Sequence, residues 1–330
     1  MSPAKLPRLS LLLVAVAILA GLAGATYVFR FNPEMSFWTQ TAERKLDWAE
    51  GMRQKYGFVI GAVGGSTTTF GIDAQLLDQE AALPVANLGL HAGMGPDVCV
   101  GFGFAALQRG DTLLLCLEPS MLTEEVHPMP LGSRLAWALS KPELLAWGRP
   151  PSWLTRLSLL TQMQPGGYHV VTMLGKLAVQ EPLYRYNIKD TRPGGLQVTG
   201  DRRNFVASMD LSAGPRLGPL SESGLALLER VRDEANRRGI HVAYALPWAY
   251  WPADSADLRR AANAEFLRQI EDIMPVLREP NMGVHTVLDD FADSGQHLTE
   301  EAAKARSRVL AETLRSKLPA TPTPEPPAKN

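Results

Sequence analysis

A serine that follows two glycines has the surroundings of a nucleophile. The apolar run 58–63 has the length and composition of a buried strand, and it ends in Gly64, Gly65 and Ser66, with three threonines after them. A hydroxyl is a weak nucleophile until a base takes its proton, and the base works best when a third group orients it. Serine chemistry here therefore requires a histidine and an acid that the fold brings close to Ser66.

Asp293 and His297 are the candidates for that acid and that base. They lie in the stretch 289–303, directly after the last predicted strand and before the last predicted helix. In an open parallel sheet, ligand sites lie outside the carboxyl ends of the strands, so Ser66 and His297 are expected on one side of the sheet. Two plainer interpretations stay open, in which Ser66 and Asp293 only cap helices or turns and His297 is a surface residue.

The glycines before Ser66 do not match the two common phosphate-binding loops. A P-loop needs a lysine after its last glycine, and the stretch 61–66 contains none. A dinucleotide-binding turn needs the spacing G-x-G-x-x-G and an acid at the end of the next strand, whereas these glycines are spaced differently and the next strand ends in Asn87. We therefore expect no nucleotide cofactor.

Composition and cysteines narrow the function further. The chain has 330 residues with a net charge of -1, which is long enough for a sizeable core and gives no basic field for nucleic acid. Cys99 and Cys116 lie in apolar stretches, so we predict two buried thiols, with a disulfide as the alternative in an exported chain. No neighbouring histidine or cysteine completes a set of metal ligands, so no metal is expected.

Alternation of apolar runs with amphipathic segments predicts an α/β fold, a doubly wound, flavodoxin-like parallel sheet of about five strands. The predicted strands are 58–63, 83–88, 112–117, 241–246 and 283–288. Their nearly continuous apolar character is typical of a sheet covered on both faces. Residues 119–220 break the alternation, which indicates a large insertion in the domain 58–318. The proline-rich end, 319–330, is predicted to be disordered.

The N-terminus has the pattern of a membrane anchor. Basic residues precede the apolar run 9–29, and about 20 apolar residues suffice to cross a bilayer. A cleaved signal peptide is the alternative, because the small residues at 23–25 fit a cleavage site. The anchor predicts a single-pass protein of the inner membrane, with 1–8 in the cytoplasm, a linker helix over 30–57 and the α/β domain in the periplasm.

Three short stretches, each after the appropriate strand, resemble the SGNH/GDSL hydrolase superfamily. They are GGSTTTFGIDA (64–74), NLGLHAGMG (87–95) and DSGQHLTEEA (293–302). The chain is most similar to membrane-anchored members associated with bacterial exopolysaccharide or cell-envelope acylation. The resemblance covers roughly 58–118 and 222–318 as short blocks, and their order makes it more specific than any block alone.

This resemblance implies an O-acyltransferase or esterase that acts on an envelope or secreted polysaccharide. Ser66 would be the nucleophile, His297 the general base and Asp293 the group that orients it. The backbone N–H groups of Ser66 and of Gly93, with Gly89 as second choice, would hold the oxyanion. The implied partners are a carbohydrate polymer or other acylated substrate, a membrane-bound protein that donates the acyl group, and the membrane itself through the N-terminal helix.

The chain departs from the family pattern in ways that matter for catalysis. The family's aspartate before the serine is Gly65 here, and its asparagine after the third strand, an oxyanion donor, is absent where Glu118 stands. One extra residue in the second block places His91 where it could replace that donor, so His91 and Glu118 are accessory candidates. The family's acid and histidine are also usually one residue closer. These departures favour an alternative function, a non-catalytic scaffold component of a polysaccharide biosynthesis or export system.

Overall fold

The structure is a computed structural model. It describes residues 5–26, 33–125, 130–141, 143–144, 175–179, 184, 186–192, 194 and 218–317. Most of the predicted insertion over 119–220 lies outside these stretches, and the predicted tail over 319–330 lies outside them entirely.

A five-stranded parallel sheet forms the centre of an α/β fold. Its strands are β1 (Ile60–Val63), β2 (Val85–Asn87), β3 (Thr112–Leu115), β4 (His241–Ala245) and β6 (Val276–Leu277). They lie in the order β2-β1-β3-β4-β6, and each neighbouring pair is parallel. The predicted α/β class and parallel sheet are confirmed, and the strand order is consistent with a flavodoxin-like fold.

The fifth strand of this sheet is not the predicted one. The segment predicted at 283–288 contributes only β7 (Val284–His285), which pairs with β5 (Ala249–Tyr250) in a separate two-stranded sheet. The fifth place is taken by β6, which pairs with β4 through just two residues. β6 is too short to show a hydrophobic period in the sequence. The longer apolar stretch 283–288 was therefore the stronger signal for a strand.

The main α-helices among the described residues number ten. They are α1 (Lys5–Thr26), α2 (Pro33–Tyr56), α3 (Ser66–Gly71), α4 (Ala74–Ala81), α5 (Pro96–Ala106), α6 (Ser120–Thr123), α7 (Pro130–Ala138), α8 (Glu222–Arg238), α9 (Ala256–Glu271) and α10 (Glu300–Lys317). Their ends follow capping rules. Asp73 accepts the Leu76 N–H at the start of α4, and Gly239, with φ of 69°, ends α8 in the left-handed conformation that glycine favours.

Side chains of the strands alternate between two apolar cores, one on each face of the sheet. On β3, Leu113 faces the core formed with α2, α5, α7, α8 and α9, whereas Leu114 faces the core formed with α4 and α10. Cys99 belongs to the first core and Cys116 to the second, and both are free, buried thiols. Because the sheet separates them, the alternative of a disulfide between these two cysteines is wrong.

The segment predicted as a linker over 30–57 is a part of the domain core. Its helix α2 buries Trp38, Lys45 and Met52, which follow one another at intervals of seven residues and therefore lie on one face of the helix. That face packs against β2, α5 and α7.

The predicted membrane anchor is wrong. Helix α1 covers Lys5–Thr26, and 9–26 is the part of the predicted run that the structure describes. Within the described ranges, no helix combines the length and hydropathy required to span a bilayer. The predicted single-pass location in the inner membrane, with a periplasmic domain, is overturned with it.

Candidate functional site

Ser66 is the first residue of α3, directly after the carboxyl end of β1. The sequence indicated a turn here and missed the six-residue helix, because glycine and threonine favour helices little. Gly64 makes the sharp turn possible, since a Cβ at this position would lie 2.3 Å from the Cys116 carbonyl oxygen. All residues of α3 are buried, and Ser66 itself is 7% exposed. The backbone therefore fixes the direction of the Ser66 side chain.

His297 and Asp293 form a hydrogen-bonded pair next to α3. The His297 Nδ1 lies 2.6 Å from Asp293 Oδ1, and both side chains are largely buried. The imidazole ring packs on Phe70, with the ring centroids 4.3 Å apart. Phe70 is one helical turn after Ser66, and residues four apart share a helix face. The structure thus places the Asp293–His297 pair against the residue one turn after Ser66, while the catalytic roles of all three stay predictions.

A closed loop holds the pair in place. The bridge between Phe291 and Leu298 closes the loop, and inside it the Ala292 N–H donates to the His297 carbonyl at 2.7 Å. The hydroxyl of Tyr186 donates to the second carboxylate oxygen of Asp293 at 3.3 Å. The acid and the histidine therefore come from a tight loop rather than from a helix, which explains a separation of three intervening residues.

The two glycines predicted as oxyanion donors have other hydrogen-bond partners. The Gly89 N–H donates to Asn87 Oδ1 at 3.0 Å, and the Gly93 N–H donates to His91 Nδ1 at 2.9 Å. His91 therefore uses one ring nitrogen as an acceptor, where the sequence suggested a donor. The Ser66 N–H lies in the first turn of α3, where amide groups have no acceptor within the helix. The oxyanion role of both glycines stays a prediction. It requires their N–H groups to leave Asn87 and His91 and donate to the oxyanion instead.

Glu118, an accessory candidate, contacts the nucleophile turn directly. It follows β3 at the carboxyl edge of the sheet and is only 3% exposed. Its carboxylate accepts the Gly65 N–H at 3.0 Å and the Thr67 N–H at 3.1 Å. The two amides on either side of Ser66 are thus held by one side chain.

Asn87 fixes the other end of α3, a role that the sequence did not reveal. Its side-chain amide donates to the carbonyl oxygens of Thr68 and Ile72 at 2.9 and 2.8 Å. Its Oδ1 accepts from Gly89 and, at 3.2 Å, from the buried ammonium of Lys45. The sequence signals that could have pointed to this network are a polar residue at the end of an apolar strand and a lysine within an apolar helix face.

A small pocket lies beside the residue that follows Ser66 and the residue that precedes His297. Its cavity volume is about 20 Å³, room for about one water molecule, and two of its lining residues, Thr67 and Gln296, are sequence neighbours of Ser66 and His297. Its wall includes Trp251, with the Arg259 guanidinium 3.8 Å from the ring centroid, and burial lowers the pKa of Arg259 to about 10. Asn263 also lines it. Such a mixture of rings and polar groups is typical of sites for polar organic ligands.

Two buried oxygens among the residues that line this pocket lack a protein partner. They are Thr67 Oγ1 and Asn263 Oδ1, as judged from the residues that the structure describes. A buried acceptor without a hydrogen bond is costly, so a ligand or water that donates a hydrogen bond to it is favoured.

The chain matches no known family. Comparisons with protein-family models, with curated proteins and with solved structures all find no match. The interpretation of the site therefore rests on its own residues and distances.

A second histidine–aspartate pair lies nearby and was not predicted. His285 Nε2 is 2.5 Å from Asp290 Oδ2, and the His285 ring stacks on Trp248 with centroids 4.8 Å apart. The aromatic residues of 248–251 lie in two places, because Trp248 and Trp251 line the pocket while Tyr250 packs on Phe291. The second pair provides a comparison for the first.

The buried Lys45 gives a pH-dependent prediction. Burial lowers its pKa to about 7, whereas an unfolded lysine titrates near about 10.4. Between these values the unfolded chain binds more protons, so the Lys45 contribution to stability rises with pH from about 7 to about 10. Lys45→Met should remove this rise. The check is the free energy of unfolding in urea at pH 7 and at pH 9.5 for both proteins. An equal change with pH in both proteins would contradict the assignment.

Proposed function

We propose that the protein is a serine-dependent esterase or O-acyltransferase of the SGNH type, acting on an acylated carbohydrate polymer. The observation that carries the proposal is the 2.6 Å bond between His297 Nδ1 and Asp293 Oδ1, on a ring that packs one turn from Ser66. A carboxylate on Nδ1 favours the tautomer in which Nε2 is unprotonated and able to take a proton.

The proposed reaction has two steps, acylation and deacylation of Ser66, and each member of the triad acts in both. Ser66 Oγ attacks the ester carbonyl as its proton moves to His297 Nε2, and Asp293 stabilises the imidazolium. The tetrahedral intermediate collapses, the alkoxide leaving group takes the proton, and an acyl-Ser66 remains. Water or a sugar hydroxyl then loses its proton to His297 and attacks the acyl carbonyl. The second tetrahedral intermediate collapses, and Ser66 Oγ leaves and takes that proton back from His297. Water gives hydrolysis, and a sugar hydroxyl gives acyl transfer.

The fold and the pocket support this proposal. A doubly wound, flavodoxin-like sheet with an insertion is the architecture that the resemblance implies, and the site lies where such folds bind ligands, outside the carboxyl ends of the strands. The pocket offers the rings of Trp248 and Trp251, the guanidinium of Arg259, and the buried acceptor on Asn263. Rings and polar groups of this kind bind the apolar faces and hydroxyl donors of a sugar unit, and the proposal requires the pocket to widen when such a unit enters.

A non-catalytic scaffold of a polysaccharide biosynthesis or export system is the second candidate. One specific observation favours it. The amides on both sides of Ser66 already bind the Glu118 carboxylate, and the amides of Gly89 and Gly93 bind other side chains. A negative carboxylate near the reacting carbonyl would oppose an oxyanion rather than stabilise it.

The test is labelling with a fluorophosphonate, which reacts with activated serines, together with hydrolysis of aryl acetates. We expect one labelled residue, Ser66, and the loss of both activities in Ser66→Ala. Ser255→Ala is the matched control, because its hydroxyl is bound to the Pro252 carbonyl and it should label as wild type does. Wild-type protein that neither labels at Ser66 nor hydrolyses aryl acetates would leave the scaffold as the better explanation.

A further inference from the structure

Glu118 occupies the place of a missing helix cap. Gly65 is the N-cap residue of α3 and has no side chain to accept the amides of the first turn. Cap residues such as aspartate normally accept the N–H of the second or third helical residue. Here Thr67, the second residue of α3, donates its N–H to Glu118, which comes from another strand. We infer that Glu118 is a positioning residue for Ser66, a cap supplied from outside the helix; the catalytic part of this inference rests on the proposed function.

Gly65 and Glu118 are complementary in space. A Cβ added at residue 65 would lie 2.4 Å from Glu118 Oε1 and 2.6 Å from Oε2. A side chain at 65 would have to displace the end of the Glu118 side chain, so the carboxylate of Glu118 lies where a side chain at 65 would begin. The glycine before Ser66 therefore makes room for a carboxylate that reaches the same amides from a different direction.

The backbone around Glu118 is itself well anchored. The Cys116 N–H donates to the Val63 carbonyl at 2.6 Å, which extends the pairing of β3 with β1 beyond the strand. The Met121 N–H then donates to the Glu118 carbonyl at 2.9 Å at the start of α6. The carboxylate is therefore presented from a rigid corner, next to the turn that carries Ser66.

This arrangement determines what Glu118 does to Ser66. A negative group at a helix N-terminus is favourable, and two hydrogen bonds fix the peptide groups before and after Ser66. The Ser66 N–H stays between them, and the direction of Cα–Cβ is set. Glu118 acts through the backbone and exchanges no proton with the substrate. The opposite role, a carboxylate that blocks the oxyanion, predicts a change of opposite sign when Glu118 is removed.

The test compares Glu118→Ala, Glu118→Gln and the double variant Gly65→Asp/Glu118→Ala, with Glu124→Ala as control for an exposed glutamate on the same segment. We expect Glu118→Ala to lower the rate of fluorophosphonate labelling per folded molecule by between about 10- and 100-fold. Glu118→Gln, which keeps one acceptor oxygen, should fall between Glu118→Ala and wild type. The double variant should recover most of the rate, because an aspartate at the cap position accepts the Thr67 amide.

Further readouts separate positioning from general damage. For aryl acetates, kcat should fall in Glu118→Ala with KM little changed, and the pH profile of Glu118→Gln should keep the wild-type midpoint. Labelling that is unchanged or faster in Glu118→Ala would overturn the inference. So would a loss that neither the glutamine variant nor the double variant relieves.

Hydrogen exchange tests the structural part without any activity. Exchange of the amides of 65–71 should accelerate in Glu118→Ala and return towards the wild-type rate in the double variant. If wild-type Ser66 does not label, the proposed function fails, whereas the exchange result still decides whether Glu118 holds the turn. Exchange of 65–71 that is the same in wild type and Glu118→Ala would show that it does not.

Discussion

His297→Ala is expected to lower the rate of Ser66 acylation by about 1000-fold or more, without a comparable loss of stability. The serine proton has no acceptor once the imidazole is removed, so Oγ must attack as a neutral hydroxyl. Most of the His297 side chain is buried against Phe70, which means that the variant must first be shown to be folded. The rate is measured with a fluorophosphonate at saturating concentration and with an aryl acetate, for samples matched in folded fraction.

Two other histidines make the experiment specific. His241→Ala removes an exposed histidine at the amino end of β4, far along the strand from the site, and should leave the rate within about 3-fold. His285→Ala removes the ring of the second histidine–aspartate pair, which stacks on Trp248 at the pocket. It should change KM more than kcat. If His285→Ala lost more acylation than His297→Ala, the general base would be His285 and the assignment to His297 would be wrong.

The sequence predicted the parts of the site that follow from order along the chain. Ser66 directly follows β1, so a parallel sheet places it at the carboxyl edge, whereas the strand on which the His297 prediction relied lies in a separate two-stranded sheet. The same reasoning could not show that Glu118 and Asn87 hydrogen-bond to the two ends of α3. Their hydrogen bonds join the ends of neighbouring strands to α3, a helix that was not predicted because its residues have low helix propensity. Such contacts depend on distances that only the folded chain sets.

The fold was predictable where the hydrophobic period was long. Four strands of the sheet and helices such as α8 follow from apolar runs and caps, because both faces of the sheet are buried. The prediction was wrong for β6, whose two paired residues leave no hydrophobic period, and for the N-terminal anchor, since no described helix has the length and hydropathy to span a bilayer. Lys45 was overlooked, since a single lysine on an apolar helix face is usually exposed.

Asn87→Leu is expected to reduce the free energy of unfolding by about 3–5 kcal/mol, the largest stability effect that we predict. The change keeps a side chain of similar size but removes every hydrogen bond that Asn87 makes through its side chain. The carbonyls of Thr68 and Ile72, the Gly89 N–H and one contact of the Lys45 ammonium then lose their partner inside the protein. Each buried group left without a partner costs about 1–3 kcal/mol, and the costs are not fully additive because the groups share one residue.

Urea denaturation at pH 7 measures this loss, and Asn236→Leu is the matched control because it makes the same chemical change on the exposed face of α8. The control should stay within about 0.5 kcal/mol of wild type. Combining Asn87→Leu with Lys45→Met should destabilise less than the sum of the single changes, since the methionine removes the buried ammonium that Asn87 solvates. Additive effects would mean that Lys45 and Asn87 act independently. A loss below about 1 kcal/mol for Asn87→Leu would show that Asn87 does not hold α3, and the fixed direction of Ser66 would then need another cause.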